Sequence, residues 1–224
     1  MIAPEIIARR IGAEQQPIAI VDGFHPDPDT LCDAACAASF GPAPRHYPGI
    51  RAELPADYFA QVRPALTTVL RDVFGAPRQI DLLDASFSIV TAPPATLTPA
   101  QRLPHVDAVA RGRIALVHYL SRDHGDGTAF FRHRTTGYET IDEARSADYL
   151  ARLEAELRGS APPAGYLNGD TELFAEIARV EARYNRAVIY RSALLHSGAI
   201  SPDARLDPDP ATGRLTVTAF LATA

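Results

Sequence analysis

Metal-binding side chains stand out in this chain by type and order: His105 and Asp107 in Pro104-His105-Val106-Asp107, and, far downstream, His196 in Leu194-Leu195-His196-Ser197-Gly198. In extended chain, residues two apart point to one face, so His105 and Asp107 can converge on one point. A histidine from a distant strand completes a face of two imidazoles and one carboxylate. That donor set suits Fe(II) and leaves one side of an octahedral ion open to a bidentate cosubstrate and dioxygen. A second pattern lies on the last apolar run. Arg214, Thr216, Thr218 and Phe220 alternate with Leu215, Val217, Ala219 and Leu221, placing Arg214 and Thr216 on one face of a strand. A guanidinium fork beside a hydroxyl captures a carboxylate in bidentate fashion. Arg205 competes for this role but sits in the proline-broken stretch Ser201–Pro210, which has no strand alternation. Arg214 is preferred.

Every one of the 22 basic residues is arginine, and no lysine occurs. Amine chemistry is thereby excluded: no Schiff base, no pyridoxal-phosphate anchor, no phosphate-loop lysine. The formal net charge is -5 and no basic block stands out. Nucleic acid is therefore a poor partner, because phosphate neutralisation needs clustered positive charge. No run is long and apolar enough for a membrane span, and Arg9-Arg10 precede no apolar stretch of a secretory signal. Cys32 and Cys36, four apart on a helix face, read as structural thiols of a cytoplasmic protein; a disulfide there would be strained.

The elements that must position these residues follow from periodicity. Pro17–Asp22 reads as a strand, and Pro28 to about Ser39 as a helix. A Pro- and Gly-rich loop covers Gly41–Gly49. Pro55–Phe74 is an amphipathic helix closed by Gly75. Beyond it, Ser86–Thr91, Ile114–Leu120, Thr128–Arg132, Ala187–Tyr190 and Leu215–Leu221 are short strands rich in branched and aromatic residues. Ile141–Arg158 is a helical insertion, and Thr171–Arg179 a shorter helical segment. The class is α+β, with residues 1–80 packing on a core formed by residues 81–224 in one compact domain, the core being a sandwich or barrel.

From about Ser86 onward the chain resembles the Fe(II)/2-oxoglutarate-dependent dioxygenase superfamily, particularly its prolyl-4-hydroxylase-like branch. The resemblance rests on His105-Val106-Asp107, on His118-Tyr119-Leu120-Ser121, on the glycine-rich turn and strand Gly125–Phe131, on Leu195-His196-Ser197 and on Arg214-Leu215-Thr216. It implies a double-stranded β-helix, or jelly-roll, core flanked by N-terminal helices. It implies Fe(II) on His105, Asp107 and His196, and 2-oxoglutarate held by Arg214 with Thr216 and Tyr119. It further implies oxidative decarboxylation to succinate, coupled through dioxygen to hydroxylation of a small-molecule, amino-acid or peptide substrate. Two departures stand out: the branch commonly uses lysine where only arginine exists here, and the interval from His196 to Arg214 is long.

Blander roles compete at several positions. His118, inside an apolar strand, reads as a hydrogen-bonded core histidine, and Tyr119 as either cosubstrate contact or core. His124, His133 and Arg134 flank the glycine-rich turn as solvated loop residues, and Arg191 as a surface ion pair. Two further functions share the fold expectation: a cupin-like metal enzyme that does not use 2-oxoglutarate, and an inactive jelly-roll binding module.

Overall fold

The computed structural model describes residues 3–43, 47–76, 80–122, 126–159 and 162–223. His124, Gly125 and parts of the 41–49 and 159–168 loops lie outside the described residues. Strands β1 (Glu5–Ile11), β2 (Gln16–Asp22), β3 (Gly41–Pro42), β4 (Gly49–Ala52), β5 (Ile80–Val90), β6 (Arg113–Tyr119), β9 (Arg186–Arg191) and β11 (Leu215–Thr223) form an 8-stranded sheet. Its order is β1-β2-β9-β6-β11-β5-β4-β3, and neighbouring strands are antiparallel throughout. A 3-stranded antiparallel sheet, β10-β7-β8, is made by β7 (Gly127–His133), β8 (Phe174–Glu181) and β10 (His196–Ala199). Helices α1 (Pro28–Ala37), α2 (Tyr58–Asp72) and α3 (Glu143–Leu157) complete the chain.

Strand alternation sorts the apolar residues into three layers of core. One face of the large sheet, with Ala19, Val21, Ile114, Leu116, Ala187, Ile189, Leu215 and Val217, packs on Leu31 and Ala35 of α1 and on Tyr58, Val62, Leu66 and Val69 of α2. The other face, with Ile18, Ile20, Ala115, Tyr119, Val188 and Tyr190, meets Phe130 and Val180 of the small sheet. The outer face of the small sheet, with Ala129, Phe131 and Phe174, buries Tyr149 of α3. Side-chain period two on each strand thus feeds two different cores, and the layers run helix, sheet, sheet, helix.

Strands from the first eighty residues extend the large sheet at both ends. β2 pairs with β9, and β4 with β5. β1 is not evident in sequence, because Ile6, Ile7, Ala8 and Ile11 follow no period of two and Glu5, Arg9 and Arg10 are exposed. The helical reading of Thr171–Arg179 is corrected by the structure, which places β8 there. The register of β8 on β7 shifts between Phe130 and Phe131: Glu176 faces Phe131 and Ala178 faces Phe130. The bulge breaks period two and leaves Leu173, Phe174, Ile177 and Ala178 at three-and-four spacing, which imitates a helix. Cys32 and Cys36 are free thiols; Cys32 is half-buried against the Leu120 carbonyl, whereas Cys36 is exposed rather than packed.

The turn between β1 and β2 is anchored on the small sheet. Buried Glu139 accepts hydrogen bonds from the backbone N–H groups of Ala13 and Glu14, each at 2.9 Å, and from Arg132 Nε at 2.7 Å. Gly12 has φ +66°, and a Cβ there would lie 2.0 Å from the Glu139 carboxylate. Only glycine satisfies both the left-handed backbone and the close approach.

Candidate metal centre and carboxylate clamp

His105 lies in extended chain that continues the small sheet past β10. Its N–H donates to the His196 carbonyl at 2.8 Å, and the His196 N–H donates back to the His105 carbonyl at 2.9 Å. The two histidines are thus a directly opposed antiparallel pair, with ring centroids 4.4 Å apart. Asp107 is fixed by its own N–H, which donates to the Ser192 carbonyl at 2.9 Å in the turn before β10. Its oxygens stand 3.8 Å from His105 Nε2 and 3.4 Å from His196 Nε2. All three ligand atoms lie within 4.8 Å of one another, the arrangement that could hold a metal ion. Cis ligands on an ion with bonds near 2.1 Å are about 3 Å apart, so the three would have to draw together, by up to about 2 Å for the widest pair.

The tautomer follows from the hydrogen bonding. His196 Nδ1–H donates to the Leu194 carbonyl at 2.8 Å, which leaves the Nε2 lone pair facing Asp107. Burial pushes the His196 pKa down to about 4, so the ring is neutral. His105, whose side chain is 54% exposed on its outer side, is lowered as well, by desolvation on its inner side and by His196 beside it. Burial raises Asp107 to about 6, against the opposing pull of His105 and Arg51. A carboxylate thus disfavoured as an anion, facing two neutral imidazoles, gains from a cation that replaces its lost solvent. Tyr190 packs against His196 at 4.7 Å between ring centroids and closes the inner side of the site.

Arg214 immediately precedes β11 and reaches across to the small sheet, where its Nη2 donates to the Gly127 carbonyl at 2.8 Å. A Cβ on Gly198 would lie 4.0 Å from the same Nη2. Gly198 is two residues beyond His196 on β10 and shares its face. One two-residue strand step is about 7 Å, so the guanidinium sits about that far along the space between the sheets from the His196 position. Arg214 Nε is buried without a partner among the described residues. Thr216 stands opposite Tyr119 across the β11–β6 pairing. The Thr216 hydroxyl donates to the Ser88 carbonyl at 3.2 Å, and the Tyr119 hydroxyl bonds Thr128 Oγ1 at 2.7 Å. A cavity of about 310 Å³ is lined by Tyr119, Thr216, Arg214 and Arg205 together. Arg205, on its exposed loop, thus shares this cavity wall with Arg214.

Arg51, Ser88, Arg186 and Tyr47, which periodicity did not single out, complete the surroundings beside Thr216 and Tyr119. Arg51, Ser88, Thr216, Tyr119 and Arg186 stand opposite one another on successive strands, a polar row across the inner face of the large sheet. Arg186 ends the row by binding Asp22 through two hydrogen bonds, at 2.6 and 2.7 Å. The Tyr47 hydroxyl is within hydrogen-bonding reach of Ser88 and Thr216, and Arg51 stacks over the Tyr47 ring at 4.6 Å. Alternation in Gly49–Ala52 could have put Arg51 on the inner face, but four residues are too few to set a period, and Tyr47 lies in irregular chain. His118 is buried on the helix side, bonded to Tyr58 and Asn185, apart from the metal centre. His133 is likewise buried, paired with Glu156 at 2.8 Å, rather than solvated.

Residues 2–221 match a family described as "Family of unknown function (DUF6445)". No curated protein matches the chain. Among solved structures, HygX from Streptomyces hygroscopicus with nickel, 2-oxoglutarate and hygromycin B bound aligns with TM-score 0.50 at 14% identity, covering 94% of this chain and 84% of that one. Its iron-bound form aligns at 0.49 and 16%, with the same coverage. The non-heme alpha ketoglutarate dependent epimerase SnoN from nogalamycin biosynthesis aligns at 0.48 and 12%, covering 94% and 80%. At such identities the HygX likeness concerns the fold.

Proposed function

Given that the chain belongs to the DUF6445 family, we propose from its own site that it is a non-haem Fe(II)/2-oxoglutarate-dependent oxygenase that hydroxylates a small-molecule, amino-acid or peptide substrate. The observation that carries this reading is the convergence of His105, Asp107 and His196, with the Arg214 fork one strand step away along β10. That interval suits a five-carbon diacid, chelating metal at one end and meeting a guanidinium at the other. The winding of the chain supports a double-stranded β-helix. From β5 on, the large sheet receives β5, β6, β9 and β11, and the small sheet receives the His105 segment, the β7–β8 pair and β10 in the intervals between them. HygX, a protein that aligns along nearly the whole of this chain, has been seen with nickel and 2-oxoglutarate.

Bound there, iron would supply the redox chemistry that couples decarboxylation of 2-oxoglutarate to attack on a C–H bond. The chain's own contribution is placement. The paired backbone of His105 and His196 sets the spacing of two ligands, and Leu194 fixes the tautomer of one. Arg214, Thr216 and Tyr119 orient the diacid, and Tyr190 keeps water from the inner side. Retention of a carboxylate at Asp107, rather than a small residue that makes room for halide, favours hydroxylation.

The test is anaerobic reconstitution with Fe(II), followed by 2-oxoglutarate. A charge-transfer absorption band should develop, and admission of air should yield succinate. Metal binding with no band and no succinate would support instead a metal enzyme that does not use 2-oxoglutarate.

A further inference from the structure

We propose that Arg51, assisted by Ser86 and Tyr47, determines specificity at this same site by receiving a carboxylate of the primary substrate. The inference rests on the oxygenase reading and adds to it a substrate class. The two sheets face each other in a fixed order. Tyr119 of β6 touches Thr128 of β7, and Arg214 beside β11 reaches β7 and β10. The row Arg51, Ser88, Thr216 runs along the inner face of the large sheet to the wall of the cavity that Thr216 and Arg214 line. Arg51 is on the inner face of β4, opposite Ser88, and its charge acts on Asp107.

The Arg51 side chain starts opposite Ser88 and extends along β5 to Asp84, where Nη1 lies 3.5 Å from Oδ2, so it passes Ser86. Asp84 is more than half exposed and the contact is long, which makes it a weak, displaceable partner. Arg51 Nε and Ser86 Oγ are both buried without hydrogen-bond partners among the described residues. Unmet buried donors cost stability unless something fills them. Tyr47 lies under the guanidinium and fixes its plane, as aromatic stacking does for arginine. A planar fork carrying one positive charge, with a hydroxyl beside it, matches a carboxylate in shape and charge.

Arg51 is not placed to hold the cosubstrate's far end. β4 is separated from β11 by β5, which puts the two strands about 10 Å apart, and Arg214 lies near Gly198 along the barrel. Two arginine forks thus stand at different strands of the inner face, Arg214 beside β11 and Arg51 on β4.

The test uses benzoate and benzamide as probes on Zn(II)-loaded full-length protein saturated with 2-oxoglutarate, followed by ligand-observed NMR. Benzoate should bind and benzamide should not. Arg51→Gln should weaken benzoate about tenfold or more, the loss expected of a charge-assisted hydrogen bond. It should leave 2-oxoglutarate affinity within about twofold, whereas Arg51→Lys should retain part of the binding. Ser86→Ala, a change of one buried oxygen, should weaken benzoate about threefold and decides the matter should Arg51→Gln fail to fold. Equal binding of the two probes, no binding of benzoate by the parent protein, or loss of 2-oxoglutarate rather than benzoate in Arg51→Gln would each overturn the proposal. If 2-oxoglutarate itself fails to bind, the oxygenase reading is lost, and the benzoate titration repeated without it still judges Arg51.

Discussion

His196 is the residue on which the proposed site turns, because it combines a candidate ligand atom, a backbone pair for His105 and a fixed tautomer. His196→Ala should abolish metal-dependent spectra while leaving β10 paired, since that pairing is made by backbone. Arg214→Gln should weaken 2-oxoglutarate about tenfold to a hundredfold, the range for a charge-assisted contact. Arg205→Gln should change it less than twofold, as measured by titration of the charge-transfer band; equal losses would reject Arg214 as the clamp. The proximity of these candidates is legible in sequence where a local signal exists: a two-residue interval for His105 and Asp107, and strand alternation for Arg214 and Thr216. Arg51, Ser86 and Tyr47 carry none. Their meaning arises only when β4 is laid beside β5, a pairing between distant segments that no short window of sequence contains.

The β1–β2 hairpin and β8 show what periodicity reveals about elements and what it hides. Strands that feed two different cores, such as β6 and β11, alternate cleanly and were read with nearly their observed bounds. β8 is hidden because its bulge shifts the apolar residues by one, and β1 because its apolar residues do not alternate. The hairpin is nevertheless tied down at its turn. Gly12→Ala should destabilise the fold by about 2 kcal/mol, combining left-handed strain with the clash on Glu139, as read by urea unfolding. At its other strand, Asp22 is held below the usual carboxylate pKa, first by its hydrogen bonds from Arg186. A depressed folded pKa stabilises fully above the unfolded value near 3.8 and ceases to do so as pH falls through the lowered value. Asp22→Asn should therefore lose about 3 kcal/mol at neutral pH by stranding a nearly buried arginine. The gap from the parent protein should close as the pH is lowered below about 4, which urea unfolding across pH would reveal.

At the scale of the whole molecule, the four layers leave the candidate metal ligands along the small sheet and the arginines proposed to meet carboxylates along the large one. Metal and diacid together would bridge the sheets, so loading should stabilise the fold as well as the site. Zn(II) or Mn(II) at a hundredfold excess over its dissociation constant contributes about 2.7 kcal/mol, or a rise in Tm of roughly 5–10 °C for a chain of this size. Calorimetry with and without chelator measures it, and His196→Ala should remove the increment. The large sheet has one more property. β11, the latest strand in chain order, occupies its interior between β6 and β5. During synthesis, the strands β1, β2, β9 and β6 and the strands β5, β4 and β3 must therefore wait as two separate half-sheets, each with a bare hydrogen-bonding edge, until the ribosome releases the strand that joins them. The nascent chain is in this state most open to pairing with the wrong neighbour, and factors that shield strand edges at that moment will govern its yield in the cell.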